Sequence, residues 1–147
     1  MMSRKRQILV VDDEPRSLEL MKRILRPIAD VMTAASAEEA WKIVEDVELD
    51  LLITDQRMPG GAQGVDLLTR VADRDDTLGR ILLTGYTDLT SITDAINLGH
   101  VHGYLKKPCD PDEVVERVEM VLARVDHARA RERLAQSIEK LNDGTSG

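Results

Sequence analysis

Five polar residues placed at the ends of four short apolar runs, which alternate with longer stretches of helical periodicity, leave this chain few folds to choose from. Ile8-Leu9-Val10-Val11 runs into Asp12 and Asp13, Leu51-Leu52-Ile53-Thr54 into Asp55, and Ile81-Leu82-Leu83 into Thr84. Gly103-Tyr104-Leu105-Lys106 leads to Lys107 and Pro108. Together with a run near 29–33, these read as strands near 7–11, 29–33, 50–54, 80–84 and 102–106. Near-continuous apolar runs alternating with helices predict a parallel sheet covered on both faces. In such sheets ligands bind outside the carboxyl ends of the strands. That edge is where the closing residues gather: three carboxylates, a hydroxyl and an ammonium.

The helical segments carry their own start signals. The first opens with Pro15, where a missing N–H costs little, and repeats Leu18, Met21, Ile24 and Leu25 at helical spacing. The second begins at a Ser36–Glu39 capping box and carries Ala40, Ile43, Val44 and Val47, with Trp41 expected to pack. Gly60, Gly61 and Gly64 mark a loop before a third segment with Val65, Leu67, Leu68 and Val71. A fourth runs from about Asp88 to Leu98 and stops at Gly99. The fifth opens at Asp110-Pro111-Asp112-Glu113, and its periodicity continues past Leu122 through Leu134, Ile138 and Leu141. Residues 126–133 are mostly charged or alanine, too polar for a core, and 142–147 read as a flexible tail or linker. The organisation expected is a globular unit over 6–123 and an extended helix with tail over 124–147. That extension is a short coiled coil that pairs two copies, a linker to a further domain, or a solvated end.

Charge excludes one function class. The formal net charge is −7, and residues 1–123 carry more negative charge than the remainder. Direct grip on nucleic acid rests on basic neutralisation of phosphates and is not expected. No apolar stretch approaches the ~20 residues of a membrane span. No signal-peptide apolar region follows Arg4-Lys5-Arg6. A single cysteine, Cys109, suits a reducing, cytoplasmic setting, and reads as a small loop residue rather than a redox sensor. His100, His102 and His127 lack metal-ligand spacing with one another.

Asp12, Asp13 and Asp55 in one confined site would repel, so either one holds a proton or a cation binds. Hard oxygen donors without His or Cys point to Mg²⁺, or Mn²⁺ in its place. The backbone carbonyl of Arg57 is a further candidate ligand. A carboxylate placed like Asp55 can attack phosphorus and form an acyl phosphate. Lys107 then supplies positive charge and Thr84 a hydrogen bond to the transferred group. A glycine-rich phosphate loop and a GxGxxG turn are both missing, which argues against a bound nucleotide as donor.

These residues carry a family resemblance. Ile-Leu-Val-Val-Asp-Asp-Glu-Pro at 8–15, Asp-Gln-Arg-Met-Pro-Gly at 55–60, Leu-Thr-Gly-Tyr at 83–86 and Tyr-Leu-Lys-Lys-Pro at 104–108 make the chain resemble the receiver domain of two-component response regulators, over about residues 6–123. The resemblance implies a flavodoxin-like (βα)5 three-layer α/β sandwich with sheet order 2-1-3-4-5. It implies that Asp55 is the phosphoacceptor, that Asp12, Asp13 and the Arg57 carbonyl hold the metal with Asp55, that Lys107 contacts the phosphoryl group, and that Thr84 and Tyr104 are the switch pair. It also implies a signalling switch rather than a turnover enzyme. The donor would be a sensor histidine kinase or a phosphotransfer protein, and the output a downstream protein or a further domain. The segment Leu-Thr-Gly-Tyr-Thr-Asp-Leu with Ala95-Ile96-Asn97 is similar to receivers attached to cyclic-dinucleotide phosphodiesterase or histidine kinase modules.

The chain departs from the family pattern at one loop. After Met58-Pro59 the usual Gly-x-Asp-Gly is replaced by Gly60-Gly61-Ala62-Gln63-Gly64, one residue longer and without the acid. Two rival functions remain on the sequence alone. A metal-dependent phosphohydrolase would use Asp55 as a transient nucleophile, but many pair it with an acid two residues on, where this chain has Arg57. An interaction domain that is never phosphorylated would not need the complete residue set.

Overall fold

The computed structural model describes residues 5–58, 60, 63–85 and 100–145. Five strands form one sheet: β1 (Arg6–Val11), β2 (Ala29–Ala34), β3 (Leu51–Asp55), β4 (Gly79–Thr84) and β5 (Gly103–Lys106). Their order is β2-β1-β3-β4-β5 and every pairing is parallel. The order and the α/β class are those the motifs implied. Four helices are described: α1 (Pro15–Leu25), α2 (Ala37–Asp46), α3 (Gly64–Arg74) and α4 (Pro111–Thr145). The helix expected from Asp88 to Leu98 lies outside the described residues. No described helix is long and apolar enough to cross a membrane.

Strand side chains alternate between two apolar layers, as the pleat requires. Ile8, Val10, Leu51, Ile53, Ile81, Leu83 and Leu105 pack with Met21 and Leu25 of α1 and Val114, Val118, Val121 and Val125 of α4. Leu9, Val11, Leu52 and Leu82 face the other way, onto Ala40 and Val44 of α2 and Leu67, Leu68 and Val71 of α3. Without phenylalanine, branched aliphatic side chains fill both layers. Trp41 lies partly buried against the second, with the Arg70 guanidinium 3.8 Å from its ring centre.

Helix starts follow the local chemistry. Pro15 occupies the first turn of α1, and the Ser36 side chain accepts the Glu39 N–H to cap α2. The far end of α4 differs from expectation in two ways. Val125 is buried, and Arg129 reaches Asp50 at 2.6 Å, the Leu49 carbonyl at 2.8 Å and the Thr77 hydroxyl at 3.3 Å. Arg6 pairs with Asp126 beside them. The folded unit therefore extends past Leu122, held by the burial of Val125 and by these charged contacts. Asn142 to Thr145 continue the helix instead of forming a tail, because extending a formed helix costs far less than starting one.

Candidate functional site

The carboxyl ends of β1, β3, β4 and β5 bring the closing residues together. Asp12 follows the last residue of β1, where its N–H donates to the Ala34 carbonyl of β2 at 3.1 Å. Its side chain is fully buried, and one oxygen accepts the Glu14 N–H at 3.0 Å. The other accepts the Lys107 ammonium at 2.8 Å. The same ammonium lies 3.3 Å from Asp55 Oδ2. Asp13 is exposed beside them, and one carboxylate oxygen from each of Asp12, Asp13 and Asp55 falls within 4.8 Å of the others.

Backbone bonds fix the strand ends that carry these groups. The Gln56 N–H donates to the Leu83 carbonyl at 3.0 Å, and the Lys107 N–H to the Thr84 carbonyl at 2.9 Å. Asp55 is also held from below. A Cβ on Gly64 would come within 2.3 Å of the Asp55 carbonyl oxygen, so the first turn of α3 sits directly against the strand end. Gly60, in the lengthened loop, has φ +76°, a left-handed conformation that glycine takes without strain.

One positioning residue escaped the sequence reading. Gln63 precedes α3 and makes no side-chain cap. Buried Gln56 does the work instead: its side-chain oxygen accepts the Val65 N–H at 3.0 Å, and its backbone carbonyl accepts the Gly64 N–H at 2.9 Å. The signal available was a polar residue next to Asp55 in a loop lacking its usual acid. Gln56 ties the end of β3 to the helix that supports it.

Electrostatics in the cluster are tense. Burial raises the Asp55 pKa, Asp12 adds to the rise, and Lys107 opposes it. Burial pulls the Lys107 ammonium down, yet its hydrogen bond to Asp12 and the charges of Asp12 and Asp55 together leave it raised. Two carboxylates thus share the Lys107 ammonium, with Asp13 beside them. A hard divalent ion fits that donor set and would relieve the repulsion, and oxygen-only ligation suits Mg²⁺.

Thr84 ends β4, is fully buried, and donates its hydroxyl to the Gly85 carbonyl at 3.0 Å. Tyr104 on β5 is 41% exposed, whereas the Lys107 ammonium reaches Asp12 and Asp55. Arg57 is exposed and bridges Gln63. Tyr86 falls outside the described residues. Cys109 is half-buried and burial raises its thiol pKa, consistent with a packing residue. A cleft of about 720 Å³ lies at the opposite edge of the sheet, between α4 and Arg6, Asp50 and Asp75, and holds none of these groups.

The family model described as the response regulator receiver domain matches residues 8–119. A hydrogenase transcriptional regulatory protein, HoxA of Cupriavidus necator, is 36% identical over 118 residues, covering 80% of this chain and 24% of that protein. The response regulator protein PilR of Pseudomonas aeruginosa is 33% identical over 119 residues, 80% of this chain and 26% of PilR. The chain thus spans about a quarter of the length of each. Among solved structures, the signal receiver domain of an HD domain-containing protein from Pseudomonas fluorescens superposes with a TM-score of 0.82 at 32% identity, covering 89% of this chain and 96% of that one. A response regulator receiver protein from Pseudomonas putida gives 0.73 at 30% identity, covering 81% and 99%.

Proposed function

Because this chain belongs to the response regulator receiver domain family, whose members are phosphorylation-dependent switches rather than turnover enzymes, we propose that Asp55 is the residue its phosphorylation falls on. The observation that carries this reading is the single ammonium of Lys107 set between buried Asp12 and Asp55, with Asp13 alongside. Family membership supports a cognate histidine kinase or phosphotransfer protein as donor. A phosphohistidine N–P bond breaks as the Asp55 Oδ–P bond forms, and the imidazole leaves with the electron pair.

Asp12, Asp13, Asp55 and the Arg57 carbonyl would hold Mg²⁺, or Mn²⁺ in its place, which would supply positive charge against the phosphoryl oxygens. Lys107 contacts one of those oxygens while keeping Asp12 paired. The Thr84 hydroxyl turns from the Gly85 carbonyl toward the phosphoryl group, and exposed Tyr104 follows it inward. The modification stabilises one of two arrangements the domain already samples. The output is a changed binding preference at the face that carries β5 and α4, read by a downstream protein or an attached domain. In this reading residues 6–123 are the receiver and 124–147 its extension, working in the cytoplasm.

Incubation with a small phosphodonor and Mg²⁺ tests the assignment. The expected product carries one phosphoryl group on Asp55, labelling needs the metal, and Asp55→Asn abolishes it. Equal labelling of Asp55→Asn overturns the reading.

A further inference from the structure

The outer half of α4 carries an apolar stripe that its own body cannot cover. Leu134, Ile138 and Leu141 are 63%, 50% and 69% exposed, and Met120 is 54% exposed two heptads before Leu134. At about 100° per residue, these four lie roughly 160° around the helix from Val118, Leu122, Val125 and Arg129, the side chains seated on the sheet and on Asp50. The stripe therefore points directly away from the domain. Every side chain from Ala130 to Gly144 is exposed. That exposed segment spans about 22 Å at 1.5 Å per residue and is helical as a continuation of α4.

The distribution of residue types around the segment favours a particular occupant. With Leu134 and Leu141 at d and Ile138 at a, the flanking e and g positions are Ala128, Ala130, Ala135, Ser137, Asn142 and Gly144, all uncharged and mostly small. Glu132, Arg133, Glu139, Lys140 and Asp143 fall at b, c and f, on the remaining faces. A seam with small neutral flanks is self-complementary: an identical helix approaches closely and meets no like charge beside the apolar residues. A β-branched residue at a with leucine at d favours two strands in parallel. Arg124 and Arg131 at a, and His127 at d, interrupt the seam toward the body, so close pairing begins at Leu134.

We infer that the segment from Leu134 onward is an interface between two copies of this chain, paired as a parallel, in-register coiled coil. The pairing needs neither the metal nor phosphorylation, so its test is separate from that of Asp55. Sedimentation equilibrium on the unmodified chain is expected to show a monomer–dimer equilibrium in the micromolar range. Leu134→Lys with Ile138→Lys shifts it roughly tenfold or more toward monomer. Gln136→Lys, at f, leaves it unchanged. Arg131→Leu removes facing like charges and tightens it, a gain that a merely solvated helix face would not produce. In a Cys109→Ser background, Leu141→Cys forms an interchain disulfide under mild oxidation. A chain that stays monomeric up to millimolar concentration overturns the inference and leaves the stripe to a different protein. So does a dimer indifferent to the Leu134 and Ile138 substitutions. A dimer without the Leu141→Cys disulfide overturns the parallel register.

Discussion

Removing the Arg129 guanidinium should loosen the whole domain, although it lies beyond Val125, the last buried apolar residue of α4. Asp50 is only 5% exposed and Arg129 28%. The guanidinium makes a 2.6 Å bond to Asp50 Oδ1 and a 2.8 Å bond to the Leu49 carbonyl. In Arg129→Ala, Asp50 keeps the Gln7 N–H at 2.8 Å but loses its bond to the guanidinium. Breaking a fully buried pair costs about 3–5 kcal/mol, and a hydrogen bond to a charged group contributes about 1.5–3. The guanidinium is partly solvated, so screening brings the expected loss to about 2 kcal/mol. For a chain of this size that is a fall of about 4–8 °C in Tm. Urea and thermal unfolding of the variant, with exposed Arg133→Ala as control, measure it. A double-mutant cycle with Asp50→Asn isolates the pair and should give a coupling of about 1–2 kcal/mol. A loss no larger than that of Arg133→Ala, or a coupling near zero, would refute the argument and return the end of the folded unit to the neighbourhood of Leu122.

Three further outcomes follow from the site and its surroundings. Raising Mg²⁺ to about 10 mM should stabilise the protein by about 1.4 kcal/mol if the site binds with a Kd of about 1 mM. Chelation reverses the gain and Asp13→Asn, at an exposed ligand, removes it, as differential scanning calorimetry would show. Gly64→Ala places a Cβ 2.3 Å from the Asp55 carbonyl oxygen, so the strand end must move. The expected cost is about 1–3 kcal/mol, with slower labelling of Asp55 by phosphodonor; wild-type stability and rate would contradict it. His102 titrates at about 4, chiefly because it is buried and secondarily because the Arg80 and Arg124 charges face it. Its Nδ1 accepts the Arg80 N–H at 3.1 Å, a bond that protonation destroys. The unfolded chain binds that proton more readily, so stability is lost as pH falls from about 6.5 toward 4. The loss relative to His102→Gln should be about 1–2 kcal/mol, read from unfolding at several pH values; parallel pH profiles would exclude it.

Strand positions were legible because period and run length differ sharply between buried strands and amphipathic helices, and because closing residues mark one edge; the sheet order came from the family resemblance. Asp12, Asp55 and Lys107 were findable for the same reason: each stands where a strand stops. Two features were not legible, and both depend on groups far apart in the chain. Gln56 acts by reaching across a loop to Val65, a contact that no local periodicity announces. Arg129 and Asp126 look like solvated helix residues until Asp50 and Arg6 are brought beneath them by the sheet. A polarity pattern locates apolar burial well. It does not separate a charge in water from a charge clasped by a distant partner.

Gly64 divides the neighbourhood of Asp55 into a stretch that tolerates insertion and one that does not. Residues added or removed between Gly60 and Gln63 change only the path by which the chain arrives, since Gln56 and the Asp55 carbonyl fix where it must land. One residue inserted after Gly64 would rotate the rest of α3 by about 100° and carry Leu67, Leu68 and Val71 off the sheet. Length variation among homologous chains should therefore cluster before this glycine. The extra residue here lies on the flank of Asp55 where the backbone can lengthen without moving that carboxylate.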